Sequence, residues 1–136
     1  MHRHVRAGPP AVLPVMYEAA LRLPDVAREI DEPRTRRVTV RQWKDVFDRL
    51  QEALPGDDYY WTVEPSIEKE PVELVGSLAD DLADIYADVK PGLDLVAAGG
   101  STSSAAREWR FSFWSHWGTH AVEALRVVHG RLAAGG

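Results

Sequence analysis

Trp109-Arg110-Phe111-Ser112-Phe113-Trp114-Ser115-His116-Trp117-Gly118-Thr119-His120 decides the fold of this chain. The stretch holds three of the five tryptophans and two of the three phenylalanines. At about 100° per residue it sorts as a helix, and the pattern extends over 104–132. Trp109, Phe113, His116, His120, Ala124 and Val127 share one side. Arg110, Trp114, Trp117, Ala121 and Leu125 share the adjoining one. Only Ser112, Ser115, Thr119, Glu123, Arg126 and Gly130 form a polar stripe. A helix apolar over most of its circumference needs neighbours all round it. The expectation is a central, least exposed helix with the other elements packed against it.

Working outward, Ser77 caps a preceding helix, with Asp80 and Asp81 in its first turn. Leu78, Leu82, Ile85, Tyr86 and Val89 make its apolar stripe, Pro91-Gly92 predicts a kink or break, and Gly99-Gly100 ends it. Upstream, Thr39 and Gln42 form a capping box for a helix over 39–54, with Val40, Trp43, Val46, Phe47, Leu50 and Leu54 inward. A first helix over 10–23 turns Val12, Val15, Met16, Ala19, Ala20 and Leu23 inward and stops at Pro24. Between the first two lies an aperiodic connection containing the basic cluster Arg34, Arg36, Arg37 and Arg41, read as solvated. Residues 57–63, rich in aromatic and β-prone side chains, predict an extended segment without a partner strand.

The bulk composition narrows the function. With 136 residues the chain suffices for one domain with a core. Its formal charge of −5 disfavours general nucleic-acid binding, which needs Lys and Arg on phosphates. The absence of cysteine excludes disulfides, thiolate zinc sites and a cysteine nucleophile, and fits a cytoplasmic protein. No apolar run reaches the roughly 20 residues of a membrane span, and no signal peptide follows Met1-His2-Arg3-His4.

Chemistry could reside in two sets. Asp81, Asp84 and Asp88 lie on one side of the third helix, and His116 and His120, spaced i, i+4, on one side of the central one. If the two helices pack antiparallel, the sets meet. The first reading is a structural polar network, in which a buried imidazole donates to a carboxylate. Arg110 joins it through an aspartate of the third helix, because a buried guanidinium needs such a partner. The alternative is a divalent metal held by Asp84, Asp88, His116 and His120, as helical bundles build such centres from inward carboxylates and histidines. The Glu-x-x-His pairs of carboxylate-bridged di-metal bundles are missing.

Together, 77–86, 90–93, 108–113, 116–118 and 120–121 resemble an uncharacterised bacterial family, DUF5063; 21–26 and 57–61 are also similar to it. The resemblance covers most of the chain beyond residue 12. It implies a small α-helical bacterial protein with no established activity. It also implies a further helix ahead of the one at Pro10, so that this chain would leave apolar surface for a protein partner or a second copy, the latter as a symmetric dimer.

The fold expected is all-α: a single-domain bundle over 1–136, with about four main helices around a buried Trp/Phe/His-rich C-terminal helix. Residues 1–8 are expected to be flexible and 64–76 an acidic loop. The function expected is a non-enzymatic binding or interaction domain whose polar cluster is Asp81, Asp84, Asp88, Arg110, His116 and His120. It has no resident cofactor, no nucleic-acid or membrane partner and no assigned catalytic residue. The alternative is a metal-binding protein or metal-dependent enzyme.

Overall fold

A computed structural model describes residues 9–26, 35–54, 58–64 and 70–135. The expected flexibility of 1–8, and Arg34 of the basic cluster, lie outside them. The described residues are mainly helical: α1 (Pro9–Leu21), α2 (Val40–Ala53), β1 (Tyr59–Glu64), β2 (Val72–Ser77), α3 (Leu78–Ala97), α4 (Thr102–Ser112) and α5 (Gly118–Gly135). A π-helical turn, Phe113–Trp117, joins α4 to α5. Among the described residues no helix is long and apolar enough to cross a membrane.

The all-α expectation is corrected by the hairpin. The extended segment has a partner: β1 and β2 pair antiparallel from Tyr59 opposite Ser77 to Glu64 opposite Val72. Much of the expected acidic loop is therefore strand, while 65–69 lie outside the described residues. The physical reason is a period-2 split that the charged stretch between the strands obscures. Tyr59, Trp61 and Val63 face solvent, whereas Tyr60 and Thr62 are half-buried. Thr62 donates to Glu123 of α5 at 3.1 Å, and the Arg126 guanidinium sits 5.5 Å from the Tyr60 ring centre. Those contacts hold the hairpin on α5.

Helix starts follow their caps. Thr39 accepts from the Gln42 amide at 3.1 Å and the Gln42 side chain accepts from the Thr39 amide at 2.8 Å, completing the capping box. Ser77 accepts from the Asp80 amide at 3.1 Å, and Asp58 accepts from the Ala79 amide at 2.7 Å and from the Ser77 hydroxyl. The hairpin thus delivers the chain directly into α3. At the other end Gly99 takes a left-handed φ of 83°, which terminates α3 where Gly99-Gly100 predicted. The expected break at Pro91 is absent, since α3 runs through it to Ala97. Gly92 lets a neighbouring helix come close at this point. With no side chain there, the Trp109 indole lies against the helix and donates to the Val89 carbonyl at 2.9 Å.

The core gathers Leu13 and Ala20 of α1, Leu78 and Ile85 of α3, Phe113 and Trp117 of the π-turn, and Ala121, Ala124 and Val127 of α5. Tyr17 meets Phe113 edge-on at 5.0 Å, and Phe113 meets Trp117 at 4.8 Å. Three packing expectations change. In α1 Leu13 and Ala20 are buried, Met16, Tyr17 and the following Leu23 pack against the core, and Val12, Val15 and Ala19 face out. In α2 the expected face of Trp43, Val46, Phe47, Leu50 and Leu54 is half-buried but nowhere fully buried, and Val40 is 84% exposed. The central helix is not the least exposed element: Phe111 (72%) and Trp114 (63%) are in solvent, and Trp109 is half-buried. The π-turn accounts for part of this. It holds an extra residue in the turn, so a uniform 100° wheel drawn across it falls out of phase.

Candidate metal centre

The first half of α3 faces the π-turn and the start of α5, and this places Asp81, Asp84 and Asp88 opposite His116 and His120. His116 Nδ1 lies 2.6 Å from Asp88 Oδ2, and His120 Nδ1 lies 2.7 Å from Asp81 Oδ1. A carboxylate on each Nδ1 favours a hydrogen on that nitrogen, and in the neutral ring Nε2 is then the acceptor. The two Nε2 atoms point at one another across 3.2 Å. Asp84 Oδ2 completes the triangle, 3.1 Å from His120 Nε2 and 3.7 Å from His116 Nε2. Three potential ligand atoms therefore converge on one small space. Donors about 2.0–2.1 Å from a tetrahedral ion stand about 3.3 Å apart, so the edges of the triangle match a coordination face.

Each of the three converging groups is braced from behind. Asp88 and Asp81 orient the imidazoles, and Asp84 Oδ1 accepts from the Trp43 indole of α2 at 2.7 Å. Asp81, only 5% exposed, also accepts from the Tyr60 hydroxyl of the hairpin. Burial and that contact with a carboxylate raise the Tyr60 phenol far above its ordinary range, so it stays a donor. The Asp81 hydrogen bond raises His120 despite partial burial, which acts the other way. Desolvation raises Asp88, partly offset by the hydrogen bond with His116, and desolvation with the Asp84 charge raises Asp80. Metal ligands braced in this way, histidine to carboxylate and carboxylate to donor, are the usual second layer of a metal centre. Asp80, Asp81 and His120 form a second, overlapping group of close donor atoms.

Five of the six residues singled out in the sequence lie in this cluster, with Asp88 on the outer nitrogen of His116 and not at the converging point. Arg110 does not join them, which corrects the expectation of an aspartate of α3 as its partner. It is 40% exposed and pairs with Asp25 at 3.6 Å, because the turn of α4 that carries it faces the connection after α1. Trp43 and Tyr60 were missed as site residues. Their sequence signal is weak: Trp43 reads as an apolar-face residue of α2, and Tyr60 is distinguished only by alternation along a strand.

The fold and cluster define a class: a mainly helical protein with a histidine–carboxylate site between two helices and a hairpin laid across one end. The chain matches, over residues 3–134, the family model described as Domain of unknown function (DUF5063), and it belongs to that family. The crystal structure of protein BF1032 from Bacteroides fragilis is similar, with a TM-score of 0.71 and 24% identity. That match covers 88% of this chain and 70% of the other, and at that identity the likeness concerns the fold alone. No curated protein matches the chain.

Proposed function

We propose that the protein binds a divalent transition-metal ion through His116 Nε2, His120 Nε2 and Asp84 Oδ2. The observation that carries this reading is the triangle of three acceptors with edges of 3.1, 3.2 and 3.7 Å, each acceptor braced on its far side. With both imidazoles neutral and protonated on Nδ1, three lone pairs confront each other there, and a cation would relieve that repulsion. Two imidazoles and one carboxylate suit iron(II), zinc or manganese. A set of three protein donors leaves coordination positions for water or substrate, the pattern of reactive metal centres and not of closed structural ones. The His116 side chain is 48% exposed, so the ion would be reachable from outside.

Calorimetric titration of chelator-stripped protein with Zn²⁺ and Mn²⁺ tests the reading. One ion per chain is expected for wild type, with binding lost in Asp84→Ala. A folded, stripped protein that takes up neither ion at micromolar concentration would end the proposal. In that case His120, raised by Asp81, would be the protonated bridge of a purely structural network.

The same reading takes the helices as one bundle in a single domain, supported by a core that draws on α1, α3, the π-turn and α5. A second, compatible function is association with a protein partner or a second copy, favoured by the exposure of Phe111 and Trp114 one helical turn apart. Light scattering over a dilution series would show a mass above the monomer if the partner is another copy.

A further inference from the structure

The two edges of the hairpin differ. Leu78 donates its amide to the Asp58 carbonyl at 3.0 Å, so Asp58 and Leu78 are a hydrogen-bonded pair one step outside the ladder. Such pairs alternate along an antiparallel ladder, and the others are Tyr60 with Gly76, Thr62 with Leu74 and Glu64 with Val72. The backbone groups of Tyr59, Trp61 and Val63 therefore point away from β2, and those of Glu73 and Val75 away from β1. On the β1 edge α5 takes up two of them: Arg126 donates to the Trp61 carbonyl at 3.1 Å and Arg131 to the Tyr59 carbonyl at 3.5 Å. On the β2 edge the amides and carbonyls of Glu73 and Val75 have no hydrogen-bond partner among the described residues. Neither face of the strand is covered there, since Val72, Glu73, Leu74 and Val75 are all exposed. A β-prone strand with open backbone groups is a template for another strand.

We propose that the β2 edge is a self-association surface, on which the same edge of a second copy pairs antiparallel about a twofold axis at Leu74. The inference rests on the association reading above only in taking a second copy as the partner, and it uses neither the metal ligands nor Phe111 and Trp114. The register is self-complementary. It sets Glu73 opposite Val75 of the second copy, and Val75 opposite its Glu73, as two hydrogen-bonded pairs in which no like charges face each other. An axis at Glu73 would put two carboxylates face to face. An axis at Val75 would run Val72 into Leu78, where the strand has become α3. Pro71, with no amide hydrogen, ends the usable edge on the other side. The two hairpins then form one four-stranded sheet. A contact this short belongs to the small end of interfaces, so the dimer is reversible.

The chain has no cysteine, so Leu74→Cys places a lone thiol at the proposed axis. Residues opposite each other in a non-hydrogen-bonded antiparallel pair stand about 4.5 Å apart at Cα, within disulfide reach. Under mild oxidation Leu74→Cys should give a covalent dimer faster than Trp114→Cys, an exposed position on the other apolar surface. Light scattering of the wild type should show a mass of two chains that falls towards one on dilution. Val75→Glu sets like charges opposite each other twice and should weaken association about tenfold, whereas Val75→Lys, which meets Glu73, should preserve it. Circular dichroism establishes that both variants are folded, and the cross-linking comparison decides alone if Val75→Glu unfolds the hairpin. Faster cross-linking through Trp114→Cys, or equal association of the two Val75 variants, overturns the β2 edge and leaves the association reading intact. A wild type that stays monomeric throughout the dilution series overturns the inference and removes the second copy from that reading as well.

Discussion

Replacing His116 by alanine separates a metal ligand from a structural histidine, because the structure assigns the two roles very different magnitudes. The imidazole is about half exposed and its partner Asp88 remains partly hydrated, so in stripped protein the loss should be that of an exposed pair, about 0–1 kcal/mol. For 136 residues the unfolding entropy is about 0.29 kcal/mol per degree, so Tm should fall by no more than about 3.5 °C. Metal changes the comparison. At a free concentration of 100 times Kd, an ion that binds only the folded state adds about 2.7 kcal/mol, or about 9 °C in Tm. If removing one of three donors weakens binding about a hundredfold, the same concentration only equals the variant's Kd. The increment drops to about 0.4 kcal/mol, or about 1–2 °C. Differential scanning calorimetry with and without Zn²⁺ reads all four values. Equal metal-induced shifts in wild type and variant, or a stripped variant that has already lost most of its stability, would refute the assignment.

Three further outcomes follow from contacts around the triangle. Trp43→Phe removes the indole N–H that holds Asp84 Oδ1 and should weaken metal binding about 10–100-fold in calorimetry; unchanged affinity would show that Asp84 needs no brace. Gly92→Ala places a Cβ 2.4 Å from Trp109 Nε1; overpacking of about 1–3 kcal/mol outweighs the roughly 0.5–1 kcal/mol gained in helix propensity, so the denaturant midpoint should fall. In stripped protein the raised His120 contributes stability that is complete below its ordinary value of 6.5 and is lost as pH rises through its raised folded value. The Zn²⁺-induced rise in Tm should instead grow with pH, since the ligands must be deprotonated, and a rise independent of pH between 6 and 8 would contradict this.

Local signals in the sequence are legible where one residue type has one dominant physical role. The Thr39–Gln42 capping box, the Ser77 cap and the Gly99 stop depend only on near neighbours, and the structure has all three. The i, i+4 histidines and the i, i+3, i+7 aspartates were legible for the same reason, since helical spacing alone puts each set on one side. Long-range pairing was not legible. Whether Tyr59–Glu64 has a partner depends on Val72–Ser77 folding back across a charged stretch, and alternation in one short strand cannot supply that. The phase of the central helix was also hidden. Nothing in Phe113–Trp117 marks a π-turn, so Trp114, read as inward, faces solvent.

The hairpin makes more sense as a support for the cluster than as a feature of the core, and the π-turn serves both, with Phe113 and Trp117 in the core and His116 in the cluster. Such turns are uncommon and recur at functional sites, because one extra residue re-aims the side chains around it. Here the turn carries His116 and ends three residues before His120, where both Nε2 atoms approach Asp84. The hairpin buries little: most of its large apolar residues, Trp61 among them, are exposed. What it contributes is the Tyr60 hydroxyl on Asp81 and Asp58 at the N-terminus of α3, two contacts that fix the helix carrying the carboxylates. An apolar core would not require three aspartates within reach of two histidines, since replacing such groups with packed apolar residues is often neutral or stabilising. The four elements that meet at this point, α2, the hairpin, α3 and the π-turn with α5, each donate a polar contact to it. That convergence is what the proposed cation site is built on.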